Sequence, residues 1–444
     1  MPAIASPSFA SAQDIGTRMH ELIADLLPIC RSITGDGIRE TLRRLHELVP
    51  LVVHEVPSGT KVLDWTVPNE WNIRDAWVKN ARGERVVDFR RSNLHVVNYS
   101  VPVRRTVGLA ELLSHCFSLP EHPDWIPYRT SYYAETWGFC LTQRQLEALP
   151  DEEYEVCIDA TLAPGALTYG ELVLPGEMSD EILVSCHVCH PSMCNDNLSG
   201  VAVATLLAHH LRSERRRYTY RFLFIPGTIG SITWLARNED VVPRIKHGVV
   251  LASVGDAGRV HYKRTRQGNA EIDRAVAHVL GHAGHPFELM DFTPYGYDER
   301  QYCSPGYDLA VGCLSRTPYA RYPEYHTSAD DLEFVRPEAL ADSYATLLAT
   351  FAVLEGNARY LNTSPKGEPQ LGRRGLYGPV GGGSGGAERV DELALLWVLN
   401  LSDGRHSLLD IAERSGKPFG AIRRAADRLI ASGLLAPAPT ARDP

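Results

Sequence analysis

Residues 182–200 read Ile-Leu-Val-Ser-Cys-His-Val-Cys-His-Pro-Ser-Met-Cys-Asn-Asp-Asn-Leu-Ser-Gly, and an apolar run follows with Val201-Ala202-Val203-Ala204. Ile182, Leu183 and Val184 make the short apolar run of a buried strand, which delivers His187 to its carboxyl end. Open α/β sheets bind ligands at that end. Pro191, Ser192 and the Asn195-Asp196-Asn197 cluster break the strand into a loop, and Ser199 can cap a helix that runs past Leu206. His187, His190 and Asp196 therefore share one loop at a strand-to-helix turn. Imidazole with carboxylate is the donor set of a catalytic zinc, which takes about three protein ligands and keeps one position open. Two blander readings stand beside it. Cys186, Cys189 and Cys194 can be small buried residues, or they can build a structural zinc knuckle; alternation along the strand points Cys186 away from His187, which counts against the knuckle.

Working outward, 444 residues allow a large core and two or three domains. A net charge of -9 gives no electrostatic case for nucleic acid or an anionic membrane surface. Met1 to Ala12 lack a basic region followed by an apolar core, so no signal peptide is expected, and no apolar run approaches the roughly 20 residues of a membrane span. Nine scattered cysteines, an odd number, argue for reduced thiols and a cytoplasmic location.

Along the chain, residues 1–51 carry two helical patterns, Met19, Leu22, Ile23, Leu26 and Leu27, then Ile38, Leu42 and Leu45, about the turn Thr34-Gly35-Asp36-Gly37. Residues 52–154 change to strand-like runs, among them Leu51-Val52-Val53, Ala76-Trp77-Val78, Arg85-Val86-Val87-Asp88 and Leu94-His95-Val96-Val97, and read as an inserted β-rich domain. Its aromatics, including Trp65, Trp71, Tyr132, Tyr133 and Trp137, are read mainly as core. In residues 155–364 strands at Ile182 to Ser185, Tyr220 to Ile225, Gly248 to Val254 and Leu309 to Leu314 alternate with helices starting near Ser199, Ser231, Ala270 and Pro337. Such alternation predicts an α/β domain with a mainly parallel sheet covered on both faces. Residues 365–387 read as a glycine-rich linker, and 388–444 resemble a winged helix, with a helix-turn-helix about Ser415-Gly416-Lys417-Pro418. Arg423, Arg424 and Arg428 are offset by Asp403, Asp410, Glu413 and Asp427, so a structural or dimerisation role is expected ahead of DNA binding.

His187 with Asn195-Asp196-Asn197-Leu198-Ser199-Gly200 resembles the first metal-binding segment of the zinc aminopeptidases of clan MH, and Tyr325-His326-Thr327-Ser328-Ala329-Asp330 resembles their closing segment. That resemblance implies that His187 binds a metal, that Asp196 bridges, that Asp256 after the 248–254 strand is a terminal ligand, and that His326 binds as well. His190 is a further candidate from the same loop. The chain departs from the clan at Pro226-Gly227-Thr228, where those enzymes carry two glutamates, one a general base and one a ligand. One zinc per chain is therefore expected rather than two. Glu324, two residues before His326, and Glu299 are candidate replacements for the base; Arg300 can hold a carboxylate bidentately.

The whole order of segments, with Asp64-Trp65-Thr66-Val67-Pro68, Glu70 to Asp75, Gly296 to Gly306 and Tyr322 to Asp330, resembles a family of uncharacterised bacterial aminopeptidase-like proteins associated with polysaccharide or other secondary pathways. It implies an aminopeptidase fold and a zinc. The expected function is a zinc-dependent hydrolase cleaving an amide of a small amino-acyl, peptide-like or modified-sugar substrate. The opposing expectation is a non-hydrolytic binding protein on a degenerate peptidase fold. No nucleic-acid or membrane partner is expected, and a homo-oligomer would form through the insert or the C-terminal domain.

Overall fold

A computed structural model describes residues 12–377 and 391–439, which fall into two compact units. Met1 to residue 11, the stretch read for a signal peptide, and the 378–390 part of the glycine-rich stretch lie outside the described residues.

The larger unit holds residues up to 270 together with 286–345 and is built on an eight-stranded sheet. Side by side run Val52–Pro57, Ala166–Leu174, Thr219–Ile225, Glu181–His187, Ile245–Leu251, Val311–Ser315, Val260–Lys263 and Phe287–Met290. The middle four are mutually parallel. The strands either side of them, 166–174 and 260–263, pair antiparallel. From the central Glu181–His187 strand the chain passes through helix Gly200–Leu211 to the neighbour on one side, then through Ile229–Arg237 to the neighbour on the other. The strand order thus reverses at His187, which places the crevice of an open α/β sheet there. All seven residues of this strand and all of Thr219–Ile225 are buried, as strands covered on both faces must be.

The β-rich insert differs in extent from its sequence reading. Val52–Pro57 pairs with Ala166–Leu174 in the main sheet, whereas the insert's own four-stranded sheet takes Glu70–Lys79, Arg85–Asp88, Val103–Gly108 and Glu153–Ala163. Leu94 to Val97, expected as a strand, begins instead as a short 3-10 helix over Asn93–His95, capped by the Ser92 hydroxyl. Trp71, Val78, Tyr154 and Val156 of the insert share one apolar core with Leu183, Leu223, Ile225 and Trp234 of the main unit. Glu70 at the start of the insert locks onto helix Asp36–His46 through a two-pronged pair with Arg39, at 2.8 and 2.7 Å.

The smaller unit contains Glu271–His285 and the chain from Thr346 on. Helices Glu392–Leu401, Leu408–Ser415 and Phe419–Ala431 pack with a sheet of Arg359–Asn362, Asp403–Ser407 and Leu435–Pro437. A capping box at Ser407 and Asp410 starts the second helix, and Gly416 in the left-handed conformation ends it. The strand Arg359–Asn362 pairs with both other strands, so this sheet draws on residues ahead of the stretch read as a linker. Helix Glu271–His282 also belongs here: Arg274 binds Asp410 and Glu413, and His278 Nε2 accepts the Phe419 N–H at 3.0 Å. Among the described residues no helix is long and apolar enough to cross a membrane, and all nine cysteines are free thiols.

Candidate metal centre

Three imidazoles meet one buried carboxylate beyond the carboxyl end of the Glu181–His187 strand. His187 Nε2 lies 2.8 Å from Asp196 Oδ1, His326 Nε2 3.0 Å from Asp196 Oδ2, and His190 Nε2 3.8 Å from the same Oδ2. The donor atoms of His187, His190 and Asp196 all fall within 4.8 Å of one another. Asp196 is fully buried. Burial opposes its ionisation, but the fields of His190 and His187 and the hydrogen bonds from His187 and His326 hold it well below the usual carboxylate range. At His187 burial disfavours the charged ring, and the Asp196 carboxylate outweighs it, so the pKa is raised. At His190 burial dominates, His187, His326 and Arg31 add to it, and the pKa falls to about 3. The ring of His190 is therefore neutral near pH 7, as a metal ligand must be.

The surrounding structure fixes this geometry from several elements. The main-chain N–H groups of Asn195 and Asp196 both donate to the carboxylate of Asp330, the latter at 2.9 Å. Burial pushes Asp330 up to about 8 in spite of those bonds. Asn197 Nδ2 donates to Leu251 O at 2.9 Å, tying the loop to the next strand, and a Cβ at Gly200 would lie 2.6 Å from Asn197 Oδ1 and 2.7 Å from Leu251 O. Arg31, buried from the N-terminal helical segment, donates through Nε to His190 O at 2.9 Å and through Nη1 to Leu26 O at 2.8 Å. Aromatic rings wall the cluster. Tyr297 stacks on His187, Tyr325 on His326, and Tyr128 meets both His190 and His326 edge-on. Arg31, Tyr128 and Tyr297 carry no metal-ligand spacing, so nothing in the sequence gives them a part in the site, whereas Tyr325 stands in the segment that resembles the closing motif.

Asp256, expected as a ligand from its place after a strand, lies outside the cluster. Its Oδ1 accepts from Gly258 N and Thr317 Oγ1, and its Oδ2 from Asn195 Nδ2 and Thr317 N. Four donors occupy the roughly four lone-pair sites of a carboxylate and leave none for an ion. The strand ends at Leu251, and Ser253, with φ of 54°, directs its hydroxyl to Tyr297 and Tyr322 at 3.2 and 3.1 Å.

A cavity of about 340 Å³ opens beside the cluster. His187, His190, Gly227, Thr228, Asp298 and Arg300 form its polar side. Thr228 holds φ 63° and ψ -67°, and Ile229 N donates to Gly227 O at 2.9 Å: a γ-turn of the rarer hand, strained as backbone at functional sites often is. Gly227 itself is not left-handed, and a Cβ there would make ordinary contacts, 3.4 Å to Cys189 Sγ and 3.6 Å to His187 Cβ. The carboxylate that does reach this segment comes from another loop. Asp298 Oδ1 accepts from Thr228 N at 2.7 Å and Ser231 Oγ at 2.8 Å, and burial raises its pKa against the His187 field and those two donors.

Its neighbours divide. Glu299 is buried, with Oε1 2.7 Å from Lys263 Nζ, which also donates to Tyr295 O at 2.9 Å; burial raises the Glu299 pKa ahead of the lowering by Lys263. Glu299 Oε1 lies 2.2 Å from where a Cβ on Gly296 would stand, so only glycine admits the pair there. Arg300 lines the cavity, its Nη2 3.4 Å from Thr228 Oγ1 and its guanidinium over the Tyr295 ring at 5.7 Å. Glu324 is half-buried; its carbonyl accepts from Thr327 N and Oγ1, and among the described residues no hydrogen bond or ion pair joins its carboxylate to the histidines.

Residues 20–357 match a family described as a domain of unknown function, DUF4910, and residues 358–437 match a winged helix-turn-helix family. The chain belongs to the DUF4910 family. For this member, a Clostridium acetobutylicum protein provisionally named a polysaccharide biosynthesis protein with an aminopeptidase-like domain is 53% identical over 425 residues, 96% of this chain and 97% of its own. A crystal structure from Clostridium acetobutylicum, of a provisionally assigned peptidase, has a TM-score of 0.92 at 52% identity and covers 96% of this chain and 97% of that one. BSAP, a zinc aminopeptidase from Bacillus subtilis, has a TM-score of 0.55 at 16% identity over 77% of this chain and 94% of its own. That last likeness is one of fold: the DUF4910 chain has the zinc-aminopeptidase architecture with an inserted β-rich sheet and a C-terminal winged helix.

Proposed function

We propose that this chain is a metal-dependent amide hydrolase with one zinc-like ion per chain, held by His187, His190, His326 and Asp196. One observation carries the reading: three imidazole Nε2 atoms converge on a single buried carboxylate at the sheet's switch point, over a cavity. The donor set fits a divalent ion, since nitrogen and carboxylate oxygen at this spacing are the ligands zinc prefers. Bound there, the ion supplies Lewis acidity toward a carbonyl oxygen and makes water nucleophilic at neutral pH.

The chain's own residues supply the rest. Asp196 balances the cationic charge and orients two of the imidazoles. Tyr297, Tyr128 and Tyr325 fix the ring planes. Proton movement falls to a carboxylate, Asp298 on the cavity side or Glu299 or Glu324 outside its lining, because position 227 has no side chain to do it. Glu299 is better placed as an anchor than as a base, with one oxygen on Lys263. The polysaccharide label of the Clostridium relative supports an amide-bearing sugar or amino-acyl compound as substrate. The second reading, a binding protein that no longer hydrolyses, is favoured by Gly227 and Thr228. One experiment separates them: metal analysis of the purified protein, with a panel of aminoacyl and N-acyl-sugar amides assayed before and after chelation. Chelator-sensitive cleavage supports the hydrolase; a full complement of ion with no cleavage supports the binding protein.

A further inference from the structure

The cavity has walls of two characters. Trp65 and Tyr133 stand 39% and 53% exposed, edge to face with ring centroids 5.5 Å apart, on the cavity lining with Tyr132, Tyr297 and Tyr325. Large aromatics this exposed are seldom core, and an amphipathic ring platform beside a polar pocket suits a ligand ring. Across from them, Asp298 and Arg300 differ in how far they are satisfied. Asp298 is answered by the Thr228 N–H and the Ser231 hydroxyl. Arg300 forms no ion pair among the described residues: it has the Thr228 hydroxyl at 3.4 Å, the Tyr295 face, and a buried Nε without a partner. A guanidinium offers five donors, and among the described residues the Thr228 hydroxyl is the one hydrogen-bond partner these have. Its backbone is nonetheless fixed, because Glu299 next to it is anchored by Lys263.

We propose that Arg300 recognises an acidic group of the substrate, carboxylate or phosphate, while Trp65 and Tyr133 hold a ring of the same molecule. The substrate class is then an acidic, ring-bearing amide. This rests on the reading of the cavity as a substrate site and is independent of whether an amide is cleaved.

The test is calorimetric titration of the zinc-reconstituted full-length protein with three probes that share a ring: N-acetyl-L-tyrosine, its neutral amide, and the O-phosphorylated amide. A matched bidentate guanidinium contact is worth about tenfold or more in affinity. At least one acidic probe is expected to bind that much more tightly than the neutral one, and the one that does so separates carboxylate from phosphate. Arg300→Gln should erase the preference at unchanged zinc content, Arg300→Lys should keep part of it, and Trp65→Ala should weaken all three probes alike. Equal affinities, no saturable binding of any probe, or a preference that survives Arg300→Gln and so belongs to the histidine cluster would each overturn the proposal. Acid-selective binding without any amide cleavage would sink the hydrolase reading alone; cleavage with no acid preference would sink this one alone.

Discussion

Replacing Lys263 with Met takes the cation from a pair in which Glu299 is 0% and Lys263 8% exposed, at 2.7 Å. The orphaned carboxylate has two courses. Staying charged while buried costs about 3–5 kcal/mol. Taking up a proton costs about 1.4 kcal/mol for each pH unit above an ordinary glutamate pKa of about 4.3. The cheaper course sets a ceiling of about 5 kcal/mol near pH 8 and about 1 kcal/mol near pH 5. In the variant the folded-state pKa of Glu299 is raised above the unfolded value, so the penalty is absent below the unfolded pKa and grows as pH rises toward the folded one. The expected outcome is a loss of about 3–5 kcal/mol near pH 8 that shrinks to about 1 kcal/mol near pH 5. The double variant Lys263→Met with Glu299→Gln should recover most of it, because no charge is left buried. Urea unfolding followed by tryptophan fluorescence reads this out, since every tryptophan except Trp397 belongs to the larger unit. A loss below about 1 kcal/mol near pH 8, or one that stays level toward pH 5, would refute the reasoning.

Three further outcomes are expected. Wild-type protein should carry close to one zinc-like ion per chain by elemental analysis and Asp196→Ala none, because the methyl group supplies neither ligand nor charge. Gly227→Glu should fold with its metal content unchanged, given the ordinary contacts awaiting a Cβ there, and should raise aminoacyl anilide hydrolysis if a base at this position is what the chain lacks; activity assays of metal-matched samples decide it. Glu70 has its pKa lowered from 4.5 to about 2 chiefly by the Arg39 hydrogen bond, against burial, so its contribution of about 3 kcal/mol is full above pH 4.5 and lost as pH falls through about 2; acid unfolding of Glu70→Gln should lack that step.

The legible part of the fold is the part in which local pattern and global role coincide. Ile182 to Val184 is apolar because the strand is covered on both faces, and the loop after it breaks because Pro191 and Asn195 to Asn197 break it. His187, His190 and Asp196 could be read together because a single loop carries them. His326 needed a resemblance, since nothing local connects it to residue 196. Asp256 misled for a physical reason: an aspartate before glycine after a strand looks the same whether it faces a metal or saturates its oxygens on Thr317 and Asn195. The strand Arg359–Asn362 was invisible for another, because a four-residue strand has too short a pattern to show which sheet it joins. Trp65 and Tyr133 read as core because aromatics of a small β domain usually are, and exposure alone separates them from Trp71 and Phe139, which are core.

The segment 298–300 puts a cavity carboxylate, an anchor and a cation in consecutive positions, so a substitution at one moves the others. Glu299→Gln, the natural test of Glu299 as a base, also loosens the Lys263 anchor and with it the backbone that carries Asp298 and Arg300. Lost activity in that variant is therefore ambiguous by itself. Lys263→Met loosens the same anchor and keeps a carboxyl group at 299, with its pKa raised. If the two single variants lose activity to the same extent, and the double variant that removes the buried charge regains it, Glu299 acts through position. If Glu299→Gln is inactive where Lys263→Met is not, its carboxylate takes part in the chemistry, and the anchor reading fails. Asp298→Asn completes the comparison, since it keeps an oxygen for the Thr228 N–H and Ser231 hydroxyl bonds but gives up the charge that would accept a proton.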